Sequence, residues 1–434
     1  MRIIINDIKH SEFSELIKDP SLQQAIKFWG KDAYNEKSAI DLRLFDTPNG
    51  SISILYGPRQ IGKTSSLKWF LTTVKDYDTL IYLDCSTYLE KQDLYNSLRE
   101  QISGASTIVL DEVQSVPEWH LALRKLYSEG MLEKCRVWCT GSEARYLLES
   151  GERLPGRKGE GKVVFAKPWS FKRFLNLFYP KDVQQLQDIN FLHINQKWLN
   201  DQNLDLSKQW QEYKLVGGIP QSIGEHFTTD AISDLTFTVY IDWILGTWSK
   251  LRTSERSLRK LASRICETLN SRVSYEALSK GTDIASPNTV KSLIEIQEDS
   301  FSLRICPKLD LHDKLSAPAK LKKVYPIDPF IALVWGLISD KILRNHQKNL
   351  PDLKLDEAAF FTQTYRYENQ LDVSYLYSSK TKAEVDFYFK GCGFELKSKG
   401  KPTAAQNKLL AECNQQFVVK QEKLPIVAYL VGEE

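Results

Sequence analysis

Ser51-Ile52-Ser53-Ile54-Leu55-Tyr56-Gly57-Pro58-Arg59-Gln60-Ile61-Gly62-Lys63-Thr64 decides the fold of the first third of this chain. An apolar run ends in a segment that fits G-x-x-x-x-G-K-[ST], and an amphipathic stretch with Leu67, Phe70, Leu71 and Val74 on one side follows. A strand, a tight loop and a helix head in that order point successive backbone N–H groups at phosphate oxygens. The positive end of the helix dipole adds to the attraction. Gly57, Pro58, Arg59, Gln60, Ile61 and Gly62 form the cradle. Lys63 is the point charge for β- and γ-phosphates, Thr64 offers a hydroxyl to Mg²⁺, and Ser65 belongs with the nucleotide contacts.

Outward from the loop, apolar runs at 80–84, 107–110 and 135–140 alternate with helical patterns at 63–75, 89–102 and 118–127. That alternation predicts an α/β fold with a parallel sheet covered by helices on both faces. The run Thr107-Ile108-Val109-Leu110-Asp111-Glu112 ends in two carboxylates about one strand–helix unit beyond the loop. Asp111 is placed to hold Mg²⁺ through water, and Glu112 to polarise an attacking water. Thr140-Gly141-Ser142 closes the next strand at its carboxyl end, where ligands bind in open α/β sheets. Its hydroxyls either sense a γ-phosphate or cap the following helix. Of Arg145, Arg153 and Arg157, the last is the candidate to reach a neighbouring subunit's nucleotide; a surface salt bridge is the alternative for each.

The chain has 434 residues, enough for two or three domains at roughly 150 residues each. A hydrophobic fraction of 42%, with 19 Tyr, 19 Phe and 10 Trp, supplies real cores and excludes a disordered chain. No stretch reaches the roughly 20 apolar residues of a membrane helix, and Met1 to Asp7 is too short and too soon charged for a signal peptide. A cytoplasmic protein without a membrane partner is expected. Seven scattered Cys without Cys-x-x-Cys, and six distant His, indicate neither a disulfide framework nor a zinc site. A net charge of +3 says nothing by itself about nucleic acid, but Lys and Arg crowd into 250–264, 314–323 and the last fifty or so residues.

Residues 181–214 are polar with helical spacing. Between 254 and 306 the pattern is helix (258–269), helix (275–279), turn, helix (288–298) and strand (300–305), the layout of a winged helix. Farther on, Asp386, Glu395 and Lys397 form D-x₈-E-x-K. Glu395 and Lys397 share one strand face. With Gly391-Cys392 as a two-residue hairpin loop, Asp386 lies opposite Lys397 and Tyr388 opposite Glu395. Two carboxylates gathering a divalent metal beside an ammonium suit phosphodiester hydrolysis, and Glu368 upstream can add a ligand. An exposed hairpin alternating apolar and charged residues is the other reading.

This order resembles the AAA-superfamily, STAND-related ATPases of archaeal and bacterial type that end in a PD-(D/E)xK nuclease-like domain. The residues that carry it are the Gly57 to Thr64 loop, Leu110-Asp111-Glu112-Val113-Gln114, Thr140-Gly141-Ser142, Leu154-Pro155-Gly156-Arg157 and Pro168 to Phe174. Gly217-Gly218-Ile219-Pro220, Lys323-Val324-Tyr325-Pro326-Ile327-Asp328-Pro329 and Ala383 to Phe387 continue it. The resemblance implies an AAA-type core (1–178), a helical lid (179–250), a winged helix (251–335) and a restriction-endonuclease-like domain (336–434). It places Glu368, Asp386, Glu395 and Lys397 at the metal site. Lys158 to Gly161 lengthens the loop after Arg157, which bears on how that arginine meets a neighbour.

The expected function is a Mg²⁺-dependent ATPase whose nucleotide state controls DNA engagement and cleavage by the terminal domain, with ATP and Mg²⁺ as cofactors, DNA as partner and a homo-oligomer as one assembly open to it. The rivals are a nucleotide-switched regulator with an inert nuclease-like fold, and a small-molecule kinase, which the water-activating Asp111-Glu112 pair disfavours.

Overall fold

The computed structural model describes residues 2–10, 16, 18–30, 40–73, 79–143, 159–249, 251, 253–311, 315–316, 321–339, 355–365 and 373–432. The chain divides into two compact units, Met1–Lys167 with Asp299–Phe301, and Pro168–Glu298 with Ser302–Glu434.

The first unit contains β1 (Arg2–Ile5), β2 (Ile8–His10), α1 (Pro20–Trp29), β3 (Ile52–Tyr56), α2 (Lys63–Thr73), β4 (Thr79–Asp84) and α3 (Lys91–Gln101). It continues with β5 (Thr107–Asp111), α4 (Trp119–Ser128), β6 (Arg136–Gly141) and β7 (Val163–Phe165). The sheet runs β2-β1-β4-β5-β6-β3-β7. Its six strands from β1 to β7 are parallel, and only β2 returns antiparallel against β1. Every position of β3 and β5 is buried, the signature of strands covered on both faces. The four strands expected from sequence fall within one residue of the observed bounds, because continuous burial leaves continuous apolar runs. β1 escapes that pattern. Its hairpin to β2 turns at Asn6-Asp7, with φ of 46° and 66°, as a two-residue turn demands.

The second unit begins with helices α5 (Phe171–Phe178), α6 (Gln196–Asp201), α7 (Ser207–Val216), α8 (Pro220–Thr229) and α9 (Asp234–Ser249). Three further helices follow, α10 (Glu255–Glu267), α11 (Tyr275–Ser279) and α12 (Pro287–Asp299). β8 (Leu303–Cys306) starts later than the expected 300–305, because Phe301 takes a left-handed φ of 63° that no strand accommodates. A six-stranded sheet is built from β9 (Lys308–Asp310), β10 (Leu315–Ser316), β12 (Val373–Tyr377), β13 (Glu384–Phe389), β14 (Cys392–Lys397) and β15 (Gln415–Lys420), in the order β10-β9-β12-β13-β14-β15. β11 (Lys323–Pro326) pairs antiparallel with β8. Helices α13 (Pro329–Ser339), α14 (Leu355–Thr364), α15 (Ala404–Leu410) and α16 (Leu424–Val431) complete the unit.

The β13–β14 hairpin departs from the expected register. Phe389 pairs with Cys392 and Phe387 with Phe394, so the loop is Lys390-Gly391 and not Gly391-Cys392. Both loop residues have positive φ, 48° and 84°, the conformation in which glycine favours the second position. Continuing this ladder sets Asp386 across from Glu395, with Lys397 two residues beyond. The shift is an even number of residues, so the polar side chains keep their common face.

Among the described residues, no helix is long and apolar enough to cross a membrane. All seven cysteines are free, and Cys85, Cys135, Cys139, Cys306 and Cys392 are buried.

Candidate functional site

β3 ends where the loop begins, and α2 starts at Lys63, so the loop N–H groups gather at a helix head. Lys63 folds back over the loop, donating from Nζ to the carbonyls of Pro58 at 2.8 Å and Gly57 at 3.1 Å. Burial draws its pKa down, while the carboxylates of Glu112 and Asp111 oppose that shift. Arg59, Gln60, Gly62, Lys63, Thr64, Ser65 and Glu112 line a cleft of about 490 Å³, as do Ser86, Gln114, Ser115 and Glu143. A volume of that size suits a small-molecule ligand.

Asp111 stands at the end of β5, where Thr64 Oγ1 donates to its Oδ2 at 2.9 Å. Tyr82 of β4 donates its hydroxyl to the same oxygen at 2.5 Å, and Thr140 of β6 donates to Oδ1. Three hydrogen bonds from three elements fix this carboxylate. A hydroxyl and a carboxylate so close are the hard oxygen donors that Mg²⁺ takes, so Thr64 and Asp111 fit that ion. Thr140 also accepts the Glu112 N–H at 3.1 Å. It is fully buried, so the structure puts it behind Asp111 and not in the cleft. Ser142 donates to Glu112 Oε2 at 3.2 Å, and the Gln114 amide donates to both. Glu112 itself has a φ of 53°, a left-handed conformation that costs roughly 1 kcal/mol or more.

Tyr82 is the partner that sequence reading missed at this site, and Gln114 was legible only as part of the Leu110 to Gln114 motif, with no contact assigned to it. The signal for Tyr82 was available: a hydroxyl in the apolar run Leu80 to Leu83 needs an acceptor once buried. Arg145, Arg153, Arg157 and Glu368 lie outside the described residues.

A second cluster forms in the second unit. Glu395 is 2% exposed. Its Oε1 receives Lys397 Nζ at 2.6 Å and Gln406 Nε2 of α15 at 2.5 Å, while its Oε2 is buried with no hydrogen-bond partner. Burial and the nearby Asp386 push its pKa up to about 7, against Lys397. Asp386 accepts the Leu396 N–H at 2.9 Å and receives Lys323 Nζ at 3.3 Å. Lys323 also contacts Glu384 at 2.8 Å and Glu357 of α14 at 2.9 Å. Glu357, Lys323 and Gln406 were not legible as site residues, because only the fold carries them to Asp386. Among the described residues, no group of three or more His, Cys, Asp or Glu is arranged to hold a metal ion. The buried Glu395 oxygen without a hydrogen-bond partner is the feature of this cluster that a cation would satisfy.

Residues 49–175 match a family model described as an AAA domain, over less than a third of the chain. That span holds the loop, Asp111, Glu112, Thr140 and Ser142, so these cleft residues lie within the segment that matches the AAA-domain model. No curated protein matches the chain. Among solved structures it is similar to the Aeropyrum pernix ORC2 protein with ADPNP and ADP, at 12% identity and a TM-score of 0.36, over 67% of this chain and 88% of that one. It is also similar to the Aeropyrum pernix ORC1 protein in complex with DNA, at 14% and 0.33, over 76% and 96%. For C. elegans PCH-2 the values are 13% and 0.24, over 66% and 72%. Likenesses this distant carry nothing about ligands or partners.

Proposed function

We propose that this protein is a Mg²⁺-dependent ATPase whose nucleotide state controls DNA engagement, and phosphodiester cleavage, by its C-terminal α/β region. The observation that carries the ATPase reading is one cleft lined by Lys63, Thr64 and Glu112, with Asp111 bonded to Thr64 at 2.9 Å. ATP enters with its phosphates on the loop N–H groups, and Lys63 turns from the Gly57 and Pro58 carbonyls to the β- and γ-oxygens. Thr64 and Asp111 would hold Mg²⁺, which would supply positive charge against the negative charge that builds on the phosphate oxygens. Glu112 accepts a proton from water as that oxygen bonds to the γ-phosphorus and the bond to ADP breaks. Ser142 and Gln114 orient the Glu112 carboxylate, and Tyr82 and Thr140 orient Asp111.

The remaining assignments belong to the same reading. Residues 1–178 form the ATPase core, 179–250 a lid, 251–335 a winged helix and 336–434 the nuclease-like domain. Helices α10 to α12 with the β8–β11 ladder hold the DNA backbone, Arg157 reaches the nucleotide of a neighbouring copy, and Asp386 and Glu395 hold a metal beside Lys397. A second reading, the nucleotide-switched regulator, is favoured by one observation: the Asp386 carboxylate is already engaged by a lysine.

Lys63→Ala should abolish phosphate release from ATP, and Glu112→Gln should slow it at least about 100-fold while nucleotide still binds. Turnover unchanged in both variants overturns the ATPase assignment. Cleavage of plasmid and single-stranded DNA with Mg²⁺ or Mn²⁺, with and without ATP, separates the two readings. Loss of cleavage in Glu395→Ala supports the nuclease. If wild type and Glu395→Ala are equally silent while ATP is hydrolysed, the regulator takes its place.

A further inference from the structure

Lys323 has a fully buried side chain. Burying an ammonium is strongly unfavourable unless it is well paired. Here three carboxylates do the pairing, with Glu384 at 2.8 Å, Glu357 at 2.9 Å and Asp386 at 3.3 Å. Burial draws the lysine pKa down, and these carboxylates more than reverse it, holding it above the usual lysine range. The head group is therefore a standing cation. The two-residue period of β11 puts Tyr325 on the same face, and its hydroxyl donates to the same Glu357 oxygen at 2.5 Å. Lys323 and Tyr325 thus arrive together on a strand whose opposite side carries Val324.

Four carboxyl groups, Glu357, Glu384, Asp386 and Glu395, meet three cations here, Lys323, Arg272 and Lys397. Arg272 takes the second oxygen of Glu384 at 2.5 Å, and Lys397 takes Glu395. With both pairs satisfied, Glu357 and Asp386 share the single charge of Lys323. The Glu395 Oε2 atom, on the residue that the hairpin sets across from Asp386, is buried without a hydrogen-bond partner, an independent unmet demand for a donor or a cation.

We infer that Lys323 is a built-in cation of this acidic cluster, competing with a divalent metal for Asp386 and Glu357, so that metal enters only as the ammonium leaves. The inference rests on the nuclease-like reading of Asp386 and Glu395. A divalent ion carries twice the charge and draws oxygens in to about 2.0–2.6 Å, closer than any Lys323 contact, so both cannot occupy the same carboxylates. Lys323 is a positioning residue here, acting on the carboxylates and not on substrate. Any cleavage by this domain would need whatever frees Lys323 from Asp386.

The test is Mn²⁺ binding to the full-length, nucleotide-free protein, read from the electron paramagnetic resonance of free Mn²⁺. Lys323→Met should bind Mn²⁺ at least ten-fold more tightly than wild type, and adding Asp386→Asn should remove the gain. Equal affinity in wild type and Lys323→Met, or a gain that survives Asp386→Asn, overturns the inference. Far-UV circular dichroism checks that Lys323→Met folds. Wild type supplies a second measurement: acetylation of Lys323 by acetic anhydride, near zero without metal, should rise with millimolar Mn²⁺, and a flat response overturns the inference. Neither readout involves DNA. A Lys323→Met protein that gains Mn²⁺ yet never cuts defeats the nuclease reading alone. A wild type that binds Mn²⁺ as tightly as the variant and cuts DNA defeats the inference alone.

Discussion

Asp328 sits at 1% exposure ahead of α13, and its oxygens accept the N–H groups of Gly218 at 2.6 Å and Phe330 at 2.8 Å. It thereby ties together two sequence signatures 110 residues apart. Gly218 must be glycine at this junction, because a Cβ there would stand 2.0 Å from the Trp169 carbonyl oxygen. Burial pushes the Asp328 pKa up to about 7, against the backbone N–H groups that favour its charged form. Its folded pKa exceeds the ordinary carboxylate value, so its contribution to stability is full below about pH 4 and is lost as pH rises through about 7. The loss is on the order of 4 kcal/mol at most, taking about 1.4 kcal/mol per unit. Glu357 and Glu395, both pushed up to about 7 chiefly by burial, act in the same direction, so a comparison at fixed sequence would mix three groups. Thermal unfolding of wild type against Asp328→Asn isolates one. The variant should be the less stable at pH 5, with the gap narrowing toward pH 8, and a gap independent of pH would refute this assignment.

The elements of the first unit follow from local rules. β3, β5 and the helices after them are visible because burial on both strand faces forces apolar runs, and helix α3 buries Leu94, Tyr95 and Leu98 at helical spacing. The β13–β14 hairpin was legible as two strands but not in its register. Two candidate loops contain Gly391, and only the positive φ at both Lys390 and Gly391 chooses between them. Gly391→Ala should destabilise the protein by about 1–2 kcal/mol in urea unfolding, the cost of a left-handed alanine. An added Cβ would also meet Asn414 Nδ2 at 2.9 Å. Gly391→Asn should lose less, since asparagine tolerates that conformation. An alanine variant as stable as wild type would mean that the turn does not set the register.

For the molecule as a whole, the proposed partner is a polyanion, yet the net charge is only +3. Binding would then depend on local Lys and Arg contacts to phosphates, and about six such contacts lose roughly a thousand-fold in affinity between about 50 and 200 mM salt. Fluorescence anisotropy of labelled duplex DNA should display that slope, and an affinity indifferent to salt would count against DNA. Local pattern alone specifies the P-loop unit, with its strands, its Gly57 to Thr64 loop and the Asp111-Glu112 pair, because these depend on near neighbours and on patterns of period two and 3.6. It also supplied the Asp386, Glu395 and Lys397 spacing. Only the tertiary structure brought Tyr82 and Thr140 onto Asp111, moved the hairpin register, and carried Lys323 and Glu357 to Asp386 from 63 and 29 residues upstream. Those contacts join distant segments, and what selects them is the need of each buried charge or hydroxyl for a partner, which no local pattern records.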